Sequence, residues 1–199
     1  MAAPLKPIGT LAVLKGNLAP RGAVIKQSAA SKALMQHTGR AVVFDSVEDL
    51  ANRIGSDDLD VAADDVLVLR NAGPKGAPGM PEAGYLPIPR KLARQGVKDM
   101  VRISVARMSG TAFGTVILHI SPEAAAGGPL AIVQTGDMIT LDVPGGVLSL
   151  DIPAEEFERR MAALPPPPET ARRGYDRLYH EHVMQADEGA DFDFLQAGP

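Results

Sequence analysis

Val66-Leu67-Val68-Leu69 runs through Arg70 into Asn71-Ala72-Gly73-Pro74-Lys75-Gly76-Ala77-Pro78-Gly79-Met80-Pro81-Glu82. A short apolar run rich in valine reads as a strand, and the glycine- and proline-rich block after it reads as a loop. The pattern recurs where the run 100–104 is followed by Arg107-Met108-Ser109-Gly110-Thr111-Ala112-Phe113-Gly114-Thr115. Each loop holds one group able to do chemistry, Glu82 in the first and Ser109 in the second. Glycine lets backbone N–H groups approach an anion closely, and a carboxylate with a hydroxyl suits a metal-assisted reaction on an oxygen-rich substrate.

Outward from these two segments, further apolar runs lie at 11–14, 41–44, 115–120, 130–133, 138–143 and 147–152, and all read as strands. The last two alternate or nearly so and meet across Pro144-Gly145-Gly146, which predicts a hairpin. Helices are fewer. Ser46 is a suitable N-cap for a helix over 47–54, with Asp49 at the capping-box position and Gly55 as the stop. Short helices are predicted over 89–95 and 153–164, the latter acidic at its start as the helix dipole prefers. Four prolines at 165–168 impose an extended spacer. Beyond them 171–188 has helical spacing, with Tyr175, Leu178, Tyr179, His182 and Val183 at three- and four-residue intervals. The sum is an α/β domain with a mixed, curved or barrel-like sheet and few helices. Residues 1–164 form the body, and 165–199 add the proline spacer and a helical tail.

The chain has 199 residues, enough for one well-buried domain with an extension. A net charge of −4 gives no reason to expect nucleic acid, and no apolar run approaches the length of a membrane span. The start, Met1-Ala2-Ala3-Pro4-Leu5-Lys6-Pro7, lacks the apolar core of a signal peptide, so a cytoplasmic location is the default. There is no cysteine, which excludes disulfides, thiolate zinc sites and an iron–sulfur cluster ligated by this chain's own cysteines.

Familiar catalytic motifs do not fit the loops. The phosphate-binding spacing Gly-x4-Gly-Lys-Ser/Thr is absent, since Lys75 precedes Gly76. Arg107 breaks the Gly-x-Ser-x-Gly elbow at Ser109. Glu82 taken alone is more often a solvated loop carboxylate than a metal ligand, and one carboxylate is an incomplete magnesium site. Ser109 as a base needs a cation or an oriented donor to lower its pKa. His119 lies inside an apolar strand, where a satisfied core or edge histidine is the simplest reading. His180 and His182 are two apart and face different ways on a helix. His182 shares a face with Tyr175, Leu178 and Tyr179, so packing is its plain reading. Asp187, Glu188, Asp191 and Asp193 read as a solvated terminus.

Longer motifs carry a resemblance. Gly16-Asn17-Leu18-Ala19-Pro20 with Gly22-Ala23-Val24-Ile25-Lys26, the segment 65–82, Arg107-Met108-Ser109-Gly110-Thr111 and Ser121-Pro122-Glu123-Ala124 resemble the C-terminal domain of the dihydroxy-acid dehydratase/phosphogluconate dehydratase family. The tail, from Gly174-Tyr175 through His182-Val183 to 185–195, is similar to the sugar-acid branch with its arabinonate and xylonate dehydratases. The resemblance implies a swivelling β/β/α domain and a hydro-lyase that removes water from a 2,3-dihydroxy acid, an aldonic acid in that branch, to give a 2-keto-3-deoxy acid. It implies magnesium at the substrate carboxylate with Glu82 as one ligand, and an iron–sulfur cluster as Lewis acid on the leaving hydroxyl. Ser109 matches the serine taken as an alkoxide base at C2, Thr111 lies beside it, and His182 matches a tail histidine reaching the substrate region.

Two departures shape the expectations. The cluster cysteines and remaining magnesium ligands belong to an N-terminal domain absent from these residues, so the chain resembles a C-terminal fragment. It is expected to be inactive alone and to need that cluster-bearing domain as its partner. The family usually has an acidic residue where Val105 stands in Ser104-Val105-Ala106-Arg107, so weakened turnover is expected even in a complete enzyme. A face left by the missing domain would expose apolar surface, to be covered by homo-oligomerisation or by the tail. The rival readings are a non-catalytic binding or regulatory relic of the family and a small swivelling subunit like those of isopropylmalate isomerases. The Pro-Lys-Gly…Gly-Met-Pro-Glu loop argues against the latter.

Overall fold

The computed structural model describes residues 9–82, 86–110, 112–167 and 171–196. Among them the run at 66–69 forms a central strand of a sheet that closes on itself. The strands are β1 (Leu11–Gly16), β2 (Ala19–Lys26), β3 (Gln36–Ser46), β4 (Val66–Asn71), β5 (Arg102–Ser104), β6 (Val116–Ser121), β7 (Met138–Asp142) and β8 (Val147–Leu150). Their order around the barrel is β1-β2-β6-β5-β4-β3-β7-β8. Strands β3, β4, β5 and β6 pair in parallel, and β1–β2, β2–β6, β3–β7 and β7–β8 pair antiparallel. The seam is closed in parallel by one pair, Lys15 with Val147. The helices are α1 (Val47–Arg53), α2 (Arg90–Arg94), α3 (Ala154–Ala162) and α4 (Gly174–His182). The α/β class and the mixed, barrel-like sheet are therefore as the sequence predicts. No described helix is long and apolar enough to cross a membrane.

Burial explains the patterns. Val66 to Leu69 are all within 2% of complete burial, so β4 needs no polar face and shows no alternation. In β7, Ile139 and Leu141 point inward while Met138 is exposed, the alternation of a half-covered strand. Ser46 Oγ accepts the Asp49 N–H at 3.1 Å and starts α1 as predicted. The Asp49 carboxylate reaches back to the Asp45 N–H instead of that of Ser46, and it also pairs with Arg53.

Three sequence expectations change. The apolar run 130–133 is not a strand: Pro129–Ile132 is a 3-10 turn with Leu130 and Ile132 buried. A short apolar run records burial, not strand geometry, and Pro129 at its first position favours the turn. Conversely, β2 was hidden because Pro20, Arg21 and Gly22 interrupt its apolar alternation. The helix expected over 171–188 stops at His182, because Val183 turns extended and bridges to Phe192.

Candidate active site

Parallel pairing of β4 with β5 sends both glycine-rich loops out from the same edge of the sheet, where ligands of α/β sheets gather. Ser104 Oγ, fully buried at the end of β5, donates to Leu69 O at 3.0 Å and accepts the Ala106 N–H at 3.1 Å. Past these strand ends the loops fasten to each other. The Arg107 N–H donates to Pro81 O, Arg107 Nε donates to Met80 O at 3.0 Å, and Nη1 donates to the Glu82 carboxylate at 3.1 Å. Glu82 and Arg107 also form an isolated parallel bridge. The structure thus brings the Glu82 loop to within two residues of Ser109.

Ser109 is half-buried and follows Met108, whose N–H donates to His119 Nε2 at 2.8 Å. His119 sits in β6 with φ of 54°, a left-handed conformation uncommon for a residue with a side chain, and the Met108 N–H satisfies its ring nitrogen. Burial, and then the charge of Arg107, lowers its pKa from the ordinary histidine value. A neutral ring is what the acceptor role at Nε2 requires. Lys26 Nζ donates to Gly110 O at 2.7 Å and steadies the far side of the loop. Ser109 opens onto a cavity of about 670 Å³ that is also lined by Arg21, Val24, Lys26, Met108 and His119. Thr111 lies outside the described residues.

The anion cradle expected of the first loop exists, and its occupant comes from the chain itself. The Glu123 carboxylate, 1% exposed, accepts the N–H of Lys75 at 2.8 Å and of Gly76 at 2.9 Å. Gly73 is needed here, since a Cβ would stand 2.5 Å from Glu123 Oε2. The sequence marked Glu123 only as part of a motif. Its signal was an acid placed beside a run of small apolar residues.

His182 ends α4, which touches the same loop through Tyr179. The Tyr179 hydroxyl donates to Pro74 O at 2.9 Å and accepts the Gly79 N–H at 3.1 Å. His182 itself turns to the tail: Nδ1 lies 2.9 Å from Asp193 Oδ1 and the ring meets Phe194 edge-on. The stripe it was expected to share is not a packed face, since Tyr175 is 90% exposed. The acidic tail is not merely solvated either. Asp187 bonds Ser121 Oγ and pairs with Arg21, and Glu188 pairs with the same arginine. Burial would raise the Asp187 pKa, but its bonds to Ser121 and Arg21 hold it below the usual carboxylate value.

As for a metal, a glutamate carboxylate is the hard oxygen ligand that magnesium prefers. Among the described residues no group of three or more histidines and carboxylates gathers as a metal site. Glu82 would offer such an ion one oxygen ligand, and here its carboxylate is paired with Arg107. With no cysteine, the chain offers no thiolate to an iron–sulfur cluster.

Comparison with known proteins decides the family. Residues 1–190 match the family described as dihydroxy-acid/6-phosphogluconate dehydratase C-terminal. The chain belongs to this dehydratase family. It is 56% identical over 189 residues to 6-deoxy-6-sulfo-D-gluconate dehydratase of Pseudomonas putida, covering 95% of this chain and 33% of the relative. It is 55% identical over 198 residues to L-arabonate dehydratase of Azospirillum brasilense, covering 96% of this chain and 34% of the relative. L-arabinonate dehydratase of Rhizobium leguminosarum bv. trifolii (strain WSM2304) is 55% identical over 188 residues, 94% of this chain and 32% of the relative. The chain thus spans about a third of the length of these relatives. The expected likeness to the sugar-acid branch holds.

Proposed function

We propose that the chain supplies the base and one magnesium ligand to a hydro-lyase that converts a 2,3-dihydroxy sugar acid to a 2-keto-3-deoxy acid. One observation carries the reading: the fastening of the Glu82 loop to the Ser109 loop through Arg107, at the carboxyl edge of parallel strands. Ser109 as alkoxide takes the C2 proton, the C3 hydroxyl leaves as hydroxide and takes that proton from Ser109 to become water, and the resulting enol gives the 2-keto acid as its O–H proton is lost and C3 gains one. Bound magnesium, with Glu82 among its ligands, would supply positive charge at the substrate carboxylate. The resemblance gives Thr111 a part beside Ser109 and His182 a part toward the substrate. A cluster to receive the leaving hydroxyl has no ligand in this chain and would be held by the region that the relatives carry outside the matched third. Leu11 and Val13, 57% and 63% exposed on β1, are the apolar face that region would cover. The isolated chain is expected to self-associate through the same face.

The test is reconstitution. The chain, mixed with the remaining two thirds of a sugar-acid dehydratase, is assayed on a panel of aldonic acids. Turnover is expected from the mixture and from neither part alone. Ser109→Ala is expected to lower kcat by a factor of roughly 10² to 10⁴, the range for a lost general base. A Ser109→Ala mixture as active as the parent would overturn the assignment.

A further inference from the structure

We propose that Glu123 and Gln185 are positioning residues for the loop that carries Glu82, so that the segment after α4 is a working part of the site. The Glu123 carboxylate has two backbone N–H donors from the loop, Lys75 and Gly76, and a third donor in Gln185 Nε2 at 2.9 Å. Gln185 Oε1 in turn accepts the Glu123 backbone N–H at 2.8 Å. Both side chains are over nine-tenths buried, at 1% and 7% exposure. The glutamine therefore holds the glutamate from both ends of its residue, through side chain and backbone. A buried carboxylate that loses one of these donors is left partly unsatisfied and shifts.

The loop is then fixed at three places along its length. Glu123 holds 75–76, Tyr179 holds 74 and 79, and Arg107 holds 80–82. The first two fastenings depend on the tail, because Tyr179 lies in α4 and Gln185 lies three residues past its end. Gln185 is itself oriented, since its N–H donates to the Glu188 carboxylate at 3.1 Å and its segment ends at Gly189 in the left-handed region. His182 stands between Tyr179 and Gln185 in the chain, so the tail that carries it also sets the Glu82 loop. That last link, from loop position to magnesium and substrate, rests on the proposed function. The fastening itself does not.

Amide hydrogen exchange on the 199-residue chain tests the fastening. Gln185→Leu puts a somewhat shorter, apolar side chain in the buried position and removes both bonds to Glu123. It is expected to speed exchange at Lys75 and Gly76 at least tenfold while the amides of 66–69 and 116–121 keep their protection. Unchanged loop exchange would overturn the proposal, and so would a rise matched equally in those core strands. If Gln185→Leu fails to fold, Tyr179→Phe serves, since it removes only a hydroxyl, frees Pro74 O and should speed exchange at the Gly79 amide. Unchanged exchange there also counts against the proposal. In the reconstituted enzyme, Gln185→Leu is expected to raise the magnesium concentration for half-maximal turnover several-fold. A loosened loop with an unchanged magnesium requirement would leave the fastening intact and overturn its link to Glu82.

Discussion

His119 takes the Met108 N–H on Nε2 at 2.8 Å, so the residue before Ser109 hangs on an imidazole that must be unprotonated at that nitrogen. The backbone at His119 is left-handed, with φ of 54°. Because burial lowers the His119 pKa in the folded chain, the unfolded chain binds this proton first as pH falls.

The stabilising contribution is therefore complete above the unfolded histidine value, about 6.5, and is lost as pH drops below it. Urea unfolding between pH 7.5 and 5 should show stability falling toward acid. His119→Gln, which keeps an acceptor and does not titrate, should show a shallower fall. An identical slope in the variant would sink this account.

Arg107 and Glu82 are 48% and 40% exposed, so their ion pair should contribute no more than about 1 kcal/mol. Arg107→Ala is expected to lower the unfolding free energy by that amount or less, and by less still in 1 M salt. A loss above roughly twice that would mean the two loops fasten cooperatively.

Val105 is fully buried, and its neighbour Ser104 already commits its hydroxyl to Leu69 O and the Ala106 N–H. Restoring the acid usual in the family, Val105→Asp, should cost this chain on its own about 2 kcal/mol or more at pH 7. A carboxyl raised by burial is relieved when protonated, so the penalty should shrink toward pH 4. Equal stability of parent and variant at pH 7 would show that the position reaches water.

Arg160 grips Asp137 with two bonds, of 2.6 and 3.1 Å, and the side chains are 13% and 10% exposed. This pins α3 to the start of β7. Arg160→Met leaves the carboxylate without its cation and should cost about 3 kcal/mol. Adding Asp137→Asn should return part of that. A double-mutant cycle by chemical denaturation measures the coupling, and strict additivity would contradict it.

What the sequence made legible was local. Ser46 as the N-cap of α1, the alternation of 138–142 and the turn at 144–146 each carry their information within a few residues, and each appears as read, while the Asp49 carboxylate bonds the Asp45 N–H instead of closing a capping box. Strand β2 was obscured because Pro20 and Arg21 face solvent where a strand pattern would want regular alternation. The end of α4 depends on Phe192 pairing back to Val183, which no helical periodicity records. The same holds at the site. Glycine content pointed to the loops of Glu82 and Ser109, but Glu123 reaches its loop partners across 47 and 48 residues and Gln185 across 62. Its role is a product of tertiary packing, not of spacing.

The cradle at Lys75 and Gly76 carries one further consequence. A loop that binds an inorganic anion changes shape with the buffer, because sulfate, phosphate and chloride compete for it. Here the counter-charge is covalently part of the chain, so it cannot be diluted, exchanged or outcompeted. The loop's conformation should be the same in a phosphate-rich medium as in a phosphate-free one.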